Sequence, residues 1–133
     1  MIVNFTPQAD FVQGQRNLQV VHAASGRVKD IARCAEGFHG VNVKLIKTGG
    51  VSMAHETLQA ARQAGLKTMI GCMIETSVLI SAAAHLAELA DYLDVDGNLL
   101  ITNDPYLGVT AGKGILSFAN ARERHGLQAS PRG

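Results

Sequence analysis

Lys44 lies in "VNVKLIKTGG" (residues 41 to 50), an apolar run of strand length that ends in two glycines. A lysine among such neighbours either snorkels to a strand end or is held out of water. Desolvation lowers a lysine's pKa toward neutrality and makes it a competent general base. With a side-chain period of two, Asn42, Lys44 and Ile46 share one face and Val43, Leu45 and Lys47 the other. Asp94 and Asp96 stand two apart in "LDVDG", so on a strand both carboxylates leave the same side. Such a pair suits an ammonium ligand or a metal, and equally a solvated strand end before the turn at Gly97. Glu75 closes "MIGCMIE", either as a pocket acid or as a charge favourably placed before a helix N-terminus. The turn "KTGGVS" lacks the spacing of a phosphate loop, so its glycines read as backbone geometry. The five histidines show no metal-ligand spacing, and "DYLDVDGNLLITN" fails as a calcium loop because Tyr92 and Asn103 occupy ligand positions.

These side chains need a scaffold, and the chain alternates short apolar runs with longer stretches of helical period. Strands are expected at "MIVNF", "LQVVHAA", "GVNVKLIK", "KTMIGCMIE" and "YLDVDG", with a further one at "GILSF". Between them come "SGRVKDIARCAEG", capped by Ser25, and "VSMAHETLQAARQAG", capped by Ser52 and stopped at Gly65. In the second, Val51, Ala54, Leu58 and Ala61 recur at helical spacing, while "TSVLISAAAHLAELAD" is apolar nearly all round and reads as a buried helix. The expected class is α/β, a partial (β/α) barrel or open sheet of about five parallel strands with alternating helices, forming a single domain over 1–133.

With 133 residues, 47% hydrophobic and 17% charged, the chain can bury a core and does not read as disordered. Twelve basic residues against eleven acidic ones offer no electrostatic grip on nucleic acid. Two cysteines without CxxC spacing, no secretory signal pattern and no apolar run of membrane-spanning length lead to the expectation of a cytoplasmic protein with no membrane partner.

Three stretches together, "FHGVNVKLIKTGG", "GLKTMIGCMIETSVLISAAAHLAELADYLDVDG" and "DPYLGV", resemble the C-terminal part of the enolase superfamily and most closely its dipeptide epimerases of the L-Ala-D/L-Glu type. The resemblance implies a modified (β/α) barrel behind a capping domain. In that family two lysines exchange the α-proton of a dipeptide while magnesium, held by three carboxylates, stabilises the enolate. Lys44 then resembles the second acid/base lysine, Asp94 and Asp96 the pair that holds the substrate ammonium, and Glu75 falls in the family's "IE[TS]" strand end. Where the family reads "IEQP" and "ADES", this sequence has "IVNFTP" and "HAAS", setting Val3 and Ala23 at metal-ligand positions. The expectation is therefore no metal and no cofactor, in a shortened epimerase-like protein that is inactive alone. The other reading is a binding or assembly module for an amino acid, a dipeptide or a protein partner. Uncovered strand edges imply a homo-oligomer, a dimer in the simplest case.

Overall fold

The computed structural model describes residues 20–22, 28–118 and 129–133. The strand expected at "MIVNF", the Ser25 cap, and positions Val3 and Ala23 lie outside these residues.

Four parallel strands form one sheet in the order of the chain: β1 (Val20–His22), β2 (Gly40–Lys44), β3 (Lys67–Gly71) and β4 (Tyr92–Asp94). Each connection crosses over through helical segments, as parallel pairing requires. These are α1 (Ile31–Gly37), a four-residue turn α2 (Leu45–Thr48) followed by α3 (Val51–Gln63), and α4 (Ser77–Ala84). These are four of the five expected parallel strands; the fifth, at "MIVNF", lies outside the described residues.

The apolar stripe of α3 packs as its spacing requires, with Ala54, Leu58 and Ala61 fully buried against Val41, Val43 and Ile70 of the sheet. Burying side chains such as Leu58 and Ile70 contributes roughly 1.5–3 kcal/mol each. Val51, at the start of the stripe, stays exposed. The N-cap of α3 is Gly50, not Ser52, and it makes no side-chain cap bond. Helix α4 buries Ile80, Ala82, Ala83 and Ala84, as an all-round apolar helix should. Gly65 follows α3 with φ +76°, the left-handed geometry expected of its stop.

Strand β2 ends at Lys44, earlier than the expected strand through Lys47. The Thr48 hydroxyl donates back to the carbonyls of Lys44 (3.2 Å) and Leu45 (3.1 Å). Gly49 and Gly50, at φ +95° and +115°, close the turn with both N–H groups on Leu45 O. This left-handed pair is what "KTGG" supplies, and it sends Lys47 to the exposed side while Lys44 stays at the strand tip.

The chain then continues as two antiparallel pairs, β5 (Tyr106–Leu107) with β8 (Ser130–Pro131), and β6 (Thr110–Gly112) with β7 (Ile115–Ser117). "DPYLGV" ties this region to α4. Val109 N–H donates to Ser81 Oγ (2.9 Å), and Gly108 passes so close that a Cβ there would collide with Ser81 and Ser77.

Candidate functional site

The register of the sheet sets the site. Lys44 is level with Gly71, and Gly71 with Asp94, so the three form one row across β2, β3 and β4. Residues level with one another on parallel strands present side chains to the same face, and two strand spacings amount to about 10 Å. Gly71 leaves the middle of the row without a side chain. The row lies at the C-terminal ends of the strands, where barrel enzymes place their chemistry.

Lys44 emerges at the strand tip, half-buried, and its Nζ donates to the carbonyl of Cys72 at 2.8 Å. Met73 Sδ lies 3.8 Å away. An ammonium has three N–H groups, so this carbonyl anchors Lys44 without exhausting its donors.

Asp94 is half-buried, and its pKa is raised by desolvation and then by the charge of Asp96, against the pull of Lys44. Glu75 is also raised by desolvation, against a bond from the Met73 backbone and the attraction of Lys44. Its buried Oε1 accepts no hydrogen bond. Lys44 is thus within electrostatic reach of both acids. Asp94 ends its strand, but Glu75 and Asp96 do not sit where a regular strand would put them: β3 stops at Gly71, so Glu75 lies on the irregular segment before α4, and β4 stops at Asp94, so Asp96 lies on the turn into a 3-10 helix (Gly97–Leu100). The Asp94 and Asp96 carboxyls are nonetheless close enough for Asp96 to raise the pKa of Asp94.

Gly97 brings the two loops together. A Cβ there would run into the carbonyl of Met73 and lie 3.2 Å from Cys72 Sγ. The Cys72 thiol lies 3.9 Å from Asp96 Oδ1, and its pKa is raised by burial. Beneath the row, Asn42 is buried with its amide against Gly71, and its Oδ1 has no hydrogen-bond partner. Sequence reasoning missed Gly71 and read Gly97 only as a turn; the "IGC" and "DGN" glycines were the available signal.

No family model matches the chain. It is 77% identical over 100 residues to the L-Ala-D/L-amino acid epimerase of Pedosphaera parvula, a match covering 75% of this chain and 29% of the relative. The solved mandelate racemase/muconate lactonizing protein of Herpetosiphon aurantiacus superposes with a TM-score of 0.76 at 28% identity, covering 92% of this chain and 36% of that one. This chain belongs to the enolase superfamily, and the relatives it resembles include dipeptide and amino-acid epimerases. Its α/β architecture is that of the superfamily's (β/α) barrel, and the chain spans under a third of the epimerase it matches, 29% by length.

The superfamily relation corrects one expectation. The dipeptide epimerase of Methylococcus capsulatus, 30% identical with a TM-score of 0.65 over 73% of this chain and 29% of that one, is complexed with Mg and the dipeptide L-Arg-D-Lys. The expectation of no cofactor, with ligands lost at Val3 and Ala23, does not stand: this related epimerase is complexed with Mg, and neither position lies among the described residues. Among the described residues no three His, Cys, Asp or Glu side chains come together closely enough to hold a metal ion. No helix among them is long and apolar enough to cross a membrane.

Proposed function

We propose that this chain forms the Lys44 side of a dipeptide or amino-acid epimerase site. Lys44 moves a proton to or from the substrate α-carbon, and Asp94 and Asp96 hold the substrate's ammonium group. Glu75 is a further acid at the rim of the same pocket.

The observation that carries this reading is the row Lys44, Gly71, Asp94 at the strand ends, with two desolvated acids within the lysine's field. Asp94 and Asp96 repel one another, and a cation lodged between them relieves that repulsion. A dipeptide ammonium is such a cation. Its bound position would bring the α-carbon between the carboxylates and Nζ of Lys44, at the strand ends. Magnesium belongs to the proposed reaction as the counter-charge to the substrate's developing enolate. In this reading the chain alone does not epimerise dipeptides, since one lysine cannot exchange protons on both faces of the α-carbon.

The test replaces the matched segment of the Pedosphaera parvula epimerase with the residues of this chain. The chimera is expected to epimerise L-Ala dipeptides in the presence of magnesium, and Lys44→Met to reduce kcat by at least about a thousandfold, at the scale of a lost acid/base group. Full activity in the Lys44→Met chimera would overturn the assignment.

A second reading is supported by apolar side chains at the rim, with Ile74 68%, Leu99 61% and Leu100 64% exposed. In it the chain associates with another copy, a dimer in a cytoplasmic setting, and covers these residues. Light scattering over a hundredfold range of concentration tests it, and a constant monomer mass would end it.

A further inference from the structure

Asp104 is buried, at 8% exposure, yet it belongs to no part of the proposed site. Its Oδ2 accepts from the Ser77 backbone N–H at 2.8 Å and from the Ser77 hydroxyl at 2.6 Å, and its Oδ1 accepts from Tyr106 N–H at 3.0 Å. Ser77, 3% exposed, also accepts at Oγ from Asn98 Nδ2, 3.1 Å away. The three residues come from three segments. Ser77 opens α4 directly after the loop of Cys72, Met73 and Glu75. Asn98 follows Gly97 in the 3-10 turn after Asp94 and Asp96. Asp104 starts the "DPYLGV" segment.

We infer that Asp104, Ser77 and Asn98 are positioning residues: they clamp the loop carrying Asp94 and Asp96 onto the loop whose Cys72 carbonyl anchors Lys44. The clamp acts through Gly97, where the place a Cβ would take is already filled by the Met73 carbonyl and bordered by the Cys72 sulfur. A charge-assisted bond from a hydroxyl is strong and directional. With its proton committed to Asp104, the Ser77 oxygen presents only lone pairs to Asn98. This fixes the Asn98 amide, and with it the turn after the acid pair. Loss of Asn98 or of the Asp104 charge frees the acid-bearing loop to move away from Cys72 and Lys44. The inference rests on the reading of Lys44, Asp94 and Asp96 as a dipeptide site, and it can be tested separately from that reading.

Cys72 lies under the clamp, and Cys34, on the separate helix α1, serves as an internal control. Alkylation of both thiols by iodoacetamide is followed by mass spectrometry in the native chain and in Asn98→Ala and Asp104→Asn variants. Both variants are expected to alkylate Cys72 about tenfold faster, the worth of one hydrogen bond, with Cys34 unchanged. Asn98→Ala removes a half-exposed side chain, so it tests the clamp even if Asp104→Asn fails to fold. Equal acceleration at both cysteines, or none at Cys72, overturns the clamp and assigns the network to general stability.

A parallel NMR titration with L-Ala-L-Glu follows the backbone signals of Gly71 and Gly97. Binding to the native chain that weakens at least about tenfold in Asn98→Ala supports positioning. Unchanged affinity beside a freed Cys72 overturns it. No binding to the native chain, together with selective release of Cys72, upholds the clamp and counts against the dipeptide site alone.

Discussion

Two sets of carboxylates in this fold face the same cost and answer it in opposite ways. Desolvation is the largest influence on Asp91, Asp104, Glu75 and Asp94 alike. Asp91 overcomes it with the Thr68 N–H at 2.9 Å, the Thr68 hydroxyl at 3.1 Å and the Lys67 ammonium at 2.9 Å. Asp104 does so with Ser77 and Tyr106. Both are held below the ordinary carboxylate range. Glu75 and Asp94 are pushed above it, because one has a buried oxygen without a donor and the other a like charge beside it. Asp91 pins the N-terminal ends of β3 and β4, while Glu75 and Asp94 stand at the C-terminal ends beside Lys44. Acids left unsatisfied around an ammonium are a cost that a ligand can relieve, whereas satisfied acids hold the chain together.

The largest expected effect tests the satisfied set. Asp104→Ala leaves the Ser77 N–H, the Ser77 hydroxyl and the Tyr106 N–H without their acceptor, and is expected to cost about 3 kcal/mol or more in urea unfolding. A cost below about 1 kcal/mol would break the comparison. Because the folded pKa of Asp104 lies below its unfolded value, the unfolded chain takes up the proton first as pH falls. Its stabilising contribution is complete above the ordinary Asp value of about 3.9 and is lost as pH falls through the folded value. Asp104→Asn should therefore flatten the acid limb of stability.

Next in size is Gly97→Ala. Its Cβ would strike the Met73 backbone carbonyl, which cannot rotate aside as a side-chain end could. Overpacking of this kind costs about 1–3 kcal/mol, here toward the upper end. Unchanged thermal stability would show that the two loops are free to separate.

The unsatisfied set predicts smaller effects of opposite sign. Glu75→Gln and Asp94→Asn should leave stability at neutral pH unchanged or raise it, by no more than about 1 kcal/mol because solvent screens half-exposed groups. In the native chain the folded pKa of each lies above its unfolded value, so the folded state takes up the proton first. The cost is present above the folded pKa and is relieved as pH falls through it. Asp94→Asn should also abolish dipeptide-induced NMR shifts. Clear destabilisation by either substitution would move that acid into the structural set.

Much of this arrangement was legible in the sequence, for identifiable reasons. The α3 stripe and the glycine geometry after β2 follow from local period and turn chemistry. The end of β2 did not, because "LIKT" suits a strand as well as a turn, and bonds from Thr48, Gly49 and Gly50 decide it. Ser52 makes a plausible cap by type, but the helix begins one residue before it, behind Gly50. Asp104 carried a local signal, since an Asp before proline favours a side-chain turn onto the N–H two residues on, as Tyr106 shows. Its main partner, Ser77, lies 27 residues away and is brought near only by the crossover of α4. The clash at Gly97 is likewise a tertiary fact, for any Gly after "DVD" reads first as a turn.

Asn42 gives the smallest and finest test. It is a core residue by position, 3% exposed on β2, yet its Oδ1 faces Gly71 without a donor, directly beneath the row of Lys44 and Asp94. An unpaired buried carbonyl carries a desolvation cost that an apolar side chain of similar shape does not. Asn42→Leu should therefore be neutral or stabilising by up to about 1 kcal/mol in chemical unfolding. If the same variant weakens dipeptide-induced shifts at Gly71, Asn42 joins Glu75 and Asp94 as a group kept unsatisfied at the site. A loss of more than about 1 kcal/mol would mean that the packing of the amide outweighs its orphaned oxygen, and would return Asn42 to the structural set with Asp91 and Asp104.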